Sequence, residues 1–128
     1  MPGLRVLLVE DDALLGLAAE DALLDAGHAV ALAADGAEAL AYARSGAPFD
    51  VLVTDLSMPR LDGAALVRAL RAGRASLPVV AVTGYALSAE ERSLLDGDGG
   101  GATVVLAKPW TPDGLAAAVL RVAPARET

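Results

Sequence analysis

The chain has 128 residues, of which 55% are hydrophobic and 21% are charged, and its formal net charge is -7. This composition excludes a disordered chain, and no apolar run reaches the length of a membrane-spanning helix. The acidic balance argues against nucleic acids and membranes as direct partners, and the lack of cysteine rules out disulfides and thiolate chemistry.

Short apolar runs alternate with helical patterns five times along the chain. Strands are predicted at residues 4–9, 29–33, 50–54, 78–82 and 103–107. Helices are predicted at residues 13–26, 36 to about 45, 63–72, 89–96 and from 112 onward. Polar residues with capping potential stand before four of these helices: Asp12, Asp35 with Glu38, Ser88 with Glu91, and Thr111.

Hydrophobic spacing predicts the buried helix faces. In the first helix Leu14, Leu17 and Leu24 lie on one arc, which we expect to face the core. The third helix should turn its arginines toward water: Arg68, Arg71 and Arg74. In the last helix the residues with core spacing are Leu115, Ala118, Val119 and Val122.

The alternating pattern predicts a parallel sheet with helices on both faces, in one domain. We expect its core at about residues 4–123, residues 124–128 as a loose tail, and a cytoplasmic location, because no signal-peptide pattern is present. Functional groups in such sheets gather at the carboxyl ends of the strands. Five polar residues follow or end predicted strands and should meet there: Glu10, Asp11, Asp55, Thr83 and Lys108.

Three of these residues are carboxylates, and their chemistry indicates a cation. Two unit charges about 4 Å apart repel by roughly 4 kcal/mol at an effective dielectric near 20. An all-oxygen ligand set formed by Glu10, Asp11 and Asp55 favours Mg²⁺. Lys108 and Thr83 are suited to hold a phosphoryl group on an aspartate, which makes Asp55 a candidate nucleophile.

Four motifs in order resemble the receiver domain of bacterial two-component response regulators, of the stand-alone chemotaxis-regulator type. They are Glu10-Asp11, TDLSMPRLDG around Asp55, VVAVTGY around Thr83, and AKPW around Lys108. The resemblance covers essentially the whole chain. It implies a flavodoxin-like, doubly wound α/β fold with five helices and strand order 2-1-3-4-5.

The resemblance also implies roles for the site residues. Asp11 and Asp55 would ligate Mg²⁺ directly, Glu10 would act largely through bound water, and the backbone carbonyl of Ser57 would complete the protein ligands. Lys108 would pair with the phosphoryl group.

Further implied roles concern switching and the lifetime of the phosphoaspartate. The bond from Lys108 to Pro109 would be cis, and Thr83 would move toward the phosphate. Ser57 and Tyr85 occupy positions that influence access of water to the phosphoaspartate.

The implied function is a phosphoacceptor switch in a phosphorelay. Asp55 would take a phosphoryl group from a phosphohistidine of a histidine kinase or histidine phosphotransfer protein, and phosphorylation would change binding to a downstream protein. Such a protein is not a turnover enzyme, although it can dephosphorylate itself.

Two departures from the family pattern leave a second function open. Val105 stands where the family usually has Tyr or Phe, and the segment 96–101 is longer and richer in glycine than usual. A phosphorylation-independent adaptor with the same fold would be consistent with both departures.

A third hypothesis is a haloacid-dehalogenase-type phosphatase, which also uses an aspartate nucleophile. That family needs a second Asp two residues after the nucleophile, where this chain has Ser57, and it places the nucleophile on the first strand.

Other local patterns favour structural explanations. Gly97, Gly99 and Ala102 fit a dinucleotide fingerprint on paper, but they precede a strand where the fingerprint must follow one. His28 is expected at the surface or the sheet edge, and Trp110 is expected to serve in packing more than in partner binding.

Overall fold

Residues 3–56, 63–96 and 102–123 are described by a computed structural model. The strands are β1 Arg5–Val9, β2 Ala29–Ala33, β3 Val51–Asp55, β4 Val79–Thr83 and β5 Thr103–Ala107. The helices are α1 Ala13–Asp25, α2 Gly36–Arg44, α3 Gly63–Gly73, α4 Ala89–Asp96 and α5 Pro112–Val122. Within these ranges, no helix combines the length and apolarity that crossing a bilayer requires.

The strands form one parallel sheet in the order β2-β1-β3-β4-β5, which confirms the predicted flavodoxin-like topology. Val9 pairs with Thr54, and Asp55 pairs with Val82, so the carboxyl ends of the central strands are nearly level. Strand order reverses between β1 and β3, and in such sheets this reversal creates a crevice at the carboxyl edge. The fold therefore provides a site at the ends of β1 and β3.

Each face of the sheet is covered by helices, so the apolar core has two layers. On one face Leu8 and Val53 pack with residues of α1 and α5, such as Leu23 and Val119. On the other face the core includes Leu52 of β3 together with buried residues of α2, α3 and α4. Side chains along a strand alternate between the two faces of the sheet. Because helices cover both faces, Leu52 and Val53 of β3 are both apolar and buried.

Helix starts are fixed by side chains that accept backbone hydrogen bonds. The carboxylate of Asp12 accepts from the N–H groups of Leu14 and Leu15, and the hydroxyl of Thr111 accepts from Gly114. Both predicted caps are confirmed.

The first predicted capping box, Asp35 with Glu38, is confirmed only in its first half. Asp35 accepts from the N–H of Glu38 at 2.9 Å. The carboxylate of Glu38, however, accepts from the N–H of Ala34 at 3.2 Å, one residue before the cap. For the pair Ser88 and Glu91, the side chain of Glu91 lies outside the described part of the chain.

The predicted buried face of α1 is wrong. Leu14, Leu17 and Leu24 are 79%, 53% and 49% exposed. The residues of α1 that are buried are mostly small: Gly16, Ala19, Ala22 and Leu23. Small residues let α1 approach the sheet and α5 closely, and because both arcs of this helix are apolar, hydrophobic spacing alone could not tell them apart.

The prediction that Arg71 faces water is also wrong, whereas Arg68 is exposed as expected. The guanidinium of Arg71 donates to the carbonyl of Leu77 at 2.9 and 3.1 Å and to the carbonyl of Ala102 at 3.1 Å. It also donates to the carbonyl of Leu95 and to the hydroxyl of Thr103. Arg71 thus joins α3 to the end of α4 and the start of β5.

Of the two positions expected for His28, the surface position is wrong because the residue is buried, and the sheet-edge position is confirmed. It is 8% exposed, and its Nδ1 accepts a hydrogen bond from the N–H of Leu4 at 3.0 Å. Burial lowers the pKa of His28, because the charged imidazolium loses hydration. The residue stands directly before the edge strand β2, and its Nδ1 is the hydrogen-bond acceptor for the N–H of Leu4, directly before β1.

Candidate functional site

The carboxyl edge of the sheet brings together the polar residues named from the sequence. Glu10 and Asp11 follow β1, Asp55 ends β3, Thr83 ends β4, and Lys108 follows β5. Because β3 lies between β1 and β4, Asp55 occupies the centre of this edge. Ser57, which was also predicted as a site residue, lies outside the described residues.

Asp55 and Lys108 form a close ion pair. The carboxylate of Asp55 is 3% exposed, and its Oδ2 lies 2.6 Å from Nζ of Lys108. Burial alone would lower the pKa of Lys108, but the hydrogen bond and charge of Asp55, with the charges of Glu10 and Asp11, outweigh it and raise this pKa. Lys108 is therefore firmly cationic beside the carboxylate of Asp55.

Three carboxylates converge on the same point. Ligand oxygens of Glu10, Asp11 and Asp55 all lie within 4.8 Å of one another. Glu10 and Asp55 are buried, whereas Asp11 is exposed and opens the cluster to water. Oxygen ligands at this spacing fit a small hard cation that keeps several waters, so the donor set is suited to Mg²⁺.

The ionisation of Glu10 reflects this crowding. Burial raises the pKa of Glu10 to about 7, and the charge of Asp55 adds to the rise. The N–H of Asp12, which donates to Oε2 of Glu10 at 3.0 Å, and the charge of Lys108 work in the opposite direction. A bound cation would act in the same direction as these two groups and favour the ionised carboxylate of Glu10.

Thr83 is held beside this cluster by backbone contacts. The N–H of Lys108 donates to the carbonyl of Thr83 at 2.8 Å, which joins the ends of β4 and β5. The hydroxyl of Thr83 donates to the carbonyl of Tyr85 at 3.0 Å and accepts from its N–H at 3.1 Å. The hydroxyl is thus engaged with the loop after β4, and the side chain of Tyr85 is 44% exposed.

The remaining predicted features lie around the edge of the site. Val105 is half-buried on β5 and pairs with Ala81. The bond between Lys108 and Pro109 is cis, as the resemblance implied. Trp110 packs against the core beneath Glu10 and Asp55, which confirms its predicted packing role. Gly97 and Gly99 lie outside the described residues.

Gly63 is a site residue that sequence reasoning missed. It begins α3, and a Cβ atom at this position would lie 2.4 Å from the carbonyl oxygen of Asp55 and 2.7 Å from Cα of Leu56. No side chain fits there without moving the backbone that carries Asp55. The only signal in the sequence was a glycine at the start of a predicted helix, which is a common and unspecific feature.

Comparison with known proteins identifies the family. Residues 6–120 match the family model described as the response regulator receiver domain. The chain belongs to this family. The receiver domain is 38% identical over 114 residues to the response regulator MprA of Mycobacterium avium, covering 89% of the chain and 48% of MprA. It is 42% identical over 80 residues to the virulence transcriptional regulatory protein PhoP of Salmonella typhimurium, covering 62% of the chain and 35% of PhoP.

The receiver domain thus spans about half the length, or less, of these curated relatives. Solved structures of similar length match it more fully. The chemotaxis protein CheY4 of Vibrio cholerae is 36% identical with a TM-score of 0.82, covering 94% of this chain and 98% of CheY4. A response regulator receiver protein from Sinorhizobium medicae is 33% identical with a TM-score of 0.82, covering 94% of both chains.

These comparisons give no support to the two alternatives raised by the sequence. MprA is described as a response regulator and the Sinorhizobium medicae protein as a response regulator receiver protein, and none of the four named proteins is described as a phosphatase or an adaptor. Asp55 also lies on the third strand of the chain, whereas the phosphatase family places its nucleophile on the first.

Proposed function

We propose that this receiver domain is a phosphoacceptor switch whose acceptor is Asp55. The observation that carries the proposal is the pairing of a buried Asp55 carboxylate with Lys108 at 2.6 Å, next to the carboxylates of Glu10 and Asp11. A structural role alone does not require three carboxylates around one lysine, because burying charge costs several kcal/mol per ion. A phosphoryl-transfer site requires both the carboxylates and the positively charged lysine.

The reaction would join a carboxylate oxygen of Asp55 to the phosphorus of a phosphohistidine. The bond between phosphorus and the imidazole nitrogen breaks, and the imidazole leaves with the electron pair. The product is an acyl phosphate on Asp55. Lys108, freed from the carboxylate oxygen that becomes esterified, would hold a phosphoryl oxygen and offset its charge.

Mg²⁺ fits this proposal as the cofactor. Asp11 and Asp55 would hold it directly, Glu10 through water, and Ser57 through its backbone carbonyl. When bound, the cation supplies positive charge that screens the acids and the incoming phosphoryl group. The positions of Asp11, Asp55 and Glu10 would determine where the cation binds.

The donor would be a histidine kinase or a histidine phosphotransfer protein. A protein donor must cover the rim of the pocket, and there α1 presents leucines to solvent. Leu14, two residues after the N-cap Asp12, is 79% exposed, and Leu17, about one turn further on, is 53% exposed. Exposed leucines beside a charged site suit the apolar contacts of a docked partner.

Thr83 and Val105 would pass the change to a downstream protein. To bind the phosphoryl group, the hydroxyl of Thr83 must give up the carbonyl of Tyr85. Movement of the loop after β4 would follow, next to the exposed ring of Tyr85. Val105 is half-buried and lacks a polar group, so the output would be a change of loop position and packing at β5. Residues 4–123 would form the core of one cytoplasmic domain.

The proposal predicts one phosphoryl group per chain. Incubation with acetyl phosphate and Mg²⁺, followed by intact-mass measurement, should show a single adduct on the wild type. The adduct should be absent when Mg²⁺ is omitted and in Asp55→Asn. Asp21→Asn is the matched control, since Asp21 is an exposed aspartate of α1 away from the site, and it should be phosphorylated normally.

The same proteins separate the other hypotheses when phosphate release and partner binding are measured as well. Full phosphorylation of Asp55→Asn would contradict the assignment of the acceptor. Continuous release of many phosphates per chain would indicate a phosphatase. Partner binding that is the same with and without phosphorylation would indicate an adaptor.

A further inference from the structure

A second cavity lies at the opposite edge of the sheet from Asp55. It has a volume of about 300 Å³ and opens between α2 and α3. Its lining includes Phe49, two residues before β3, and Leu77, two residues before β4. Phe49 and Asp55 are six residues apart along this segment, a span of at most roughly 20 Å at about 3.3 Å per residue. We call it the α2–α3 cleft.

The floor of the α2–α3 cleft is apolar and held in place. Leu77 is fully buried, and Leu40, Phe49 and Leu70 are half-buried. The guanidinium of Arg74 lies 5.5 Å from the ring centroid of Phe49, and its NH1 donates to the carbonyl of Phe49 at 2.5 Å. The cleft therefore has a preformed floor, and its volume is at the lower end of the range for small-molecule sites.

The rim of the α2–α3 cleft is cationic in a chain that is acidic overall. Arg44 and Arg74 line it, both are exposed, and no acidic residue is among its described lining residues. Arg44 makes no hydrogen bond or ion pair within the described part of the chain. From residue 63 to residue 89 the sequence contains three arginines and no acid. This local excess of positive charge contrasts with the net charge of -7.

We propose that the α2–α3 cleft binds a small amphiphilic carboxylate. Its apolar part would lie on the leucine and phenylalanine floor, and its carboxylate would lie between Arg44 and Arg74. A cation would be repelled by both guanidinium groups, and a small polar anion would leave the floor uncovered. Carboxylate with an apolar body is the chemistry that matches both surfaces.

The probe for this site is octanoate, titrated into isotope-labelled protein and followed by amide NMR shifts. Octanoate should shift amides at the end of α2, at the end of α3 and around Phe49. Octylammonium, which has the same chain and the opposite charge, should bind at least about tenfold more weakly. Acetate, which lacks the chain, should produce no saturable shift there.

Gly73 is a position on the cleft where a larger side chain can be added without straining the fold. A Cβ atom added at Gly73 meets nothing within 4 Å, and the residue lines the cleft at the end of α3. Gly73→Leu should weaken octanoate binding about tenfold or more, and Arg44→Gln about fivefold. Arg68→Gln is the matched control, because Arg68 is an exposed arginine of α3 outside the lining, and it should bind as the wild type does.

Equal binding of octanoate and octylammonium would overturn the proposal, as would wild-type affinity in Gly73→Leu. Shifts centred on the exposed leucines of α1 would overturn it too, since they would indicate nonspecific adsorption. Asp55→Asn should bind octanoate normally. The α2–α3 cleft is thus tested independently of the phosphoacceptor proposal.

Discussion

At the carboxyl edge the charged residues lie so close together that the charge of each one affects the others. Asp55 and Lys108 are in direct contact, and Glu10 reaches within 4.0 Å of the same Nζ. Gly63 leaves the room in which the backbone of Asp55 can sit beneath α3. A single proton or cation therefore changes the balance of the whole cluster.

Glu10 should make the stability of the metal-free protein depend on pH. Its pKa is raised from 4.5 to about 7 in the folded chain, so the folded state binds the proton more tightly than the unfolded state does. The stabilising contribution is fully present below pH 4.5 and is lost as pH rises through about 7. Denaturant unfolding in a chelator across this range should show the loss in the wild type.

Glu10→Gln is the matched variant, because it keeps the size of the side chain and removes the titration. Because residue 10 cannot titrate in this variant, its unfolding free energy should lack the pH dependence that Glu10 causes between pH 4.5 and about 7. Mg²⁺ affinity of the wild type should fall as pH drops below about 7, because the cation and the proton compete for Glu10. A wild-type stability profile that matches that of Glu10→Gln would contradict this account.

At the scale of elements, Arg71 connects parts that the sequence places far apart. Its guanidinium donates to carbonyls before β4, at the end of α4 and before β5, and the hydroxyl of Thr103 in turn donates to the carbonyl of Leu95 at 3.0 Å. The contacts at Leu95 and Ala102 lie on either side of the glycine-rich segment 97–101. The side chain thus joins Leu95 and Ala102 to α3.

Arg71→Met should destabilise the fold by about 1–3 kcal/mol, because the carbonyl of Leu77 would lose its charged donor. The carbonyls of Leu95 and Ala102 would each keep a neutral donor, from Thr103 and Val79. Hydrogen exchange should increase in α4 and at the start of β5 and stay unchanged in β1. Arg68→Met, on the exposed face of the same helix, should change stability by less than about 0.5 kcal/mol. Equal effects of the two substitutions would show that Arg71 does not join these elements.

Helix α1 presents the other element-scale feature, a row of leucines that face solvent. Leu14→Ser should reduce phosphoryl transfer from a phosphorylated histidine phosphotransfer domain about tenfold, the effect of losing one well-packed interface side chain. Labelling by acetyl phosphate should not change, since that donor needs no docking surface. Leu120→Ser, at a 58% exposed leucine of α5, serves as the control and should transfer normally.

A loss of labelling by both donors in Leu14→Ser would place the defect in the fold or in the site. Unchanged transfer from the phosphotransfer domain in Leu14→Ser would show that α1 is not the docking surface.

The whole molecule holds two unlike surfaces at opposite edges of one sheet. The carboxyl edge concentrates acids around one lysine, and the amino edge carries the apolar α2–α3 cleft with its arginines. The sheet strands that connect them are buried on both faces. Any ligand at either edge stabilises the same folded state.

Mg²⁺ should raise the stability of the whole chain by linkage. At ten times its dissociation constant it should add about 1.4 kcal/mol, which corresponds to a rise in Tm of about 5 °C for a chain of this size. Thermal unfolding with and without Mg²⁺ measures this. Asp11→Asn should abolish most of the rise, and a rise that persists in that variant would show that the cation binds elsewhere.

The sequence by itself determined the order of elements and the residues of the acidic edge. Strand periodicity, caps such as Asp12 and glycine stops are local signals, and parallel strands necessarily bring Asp55 and Lys108 to the same edge. Tertiary structure decided what local signals leave degenerate. Both arcs of α1 are apolar, so only packing against α5 and the sheet selected the small residues as its buried face. The partners of Arg71 are distant in sequence, and the close neighbours of Gly63 are backbone atoms of Asp55 and Leu56. No pattern in a single sequence reports either kind of contact.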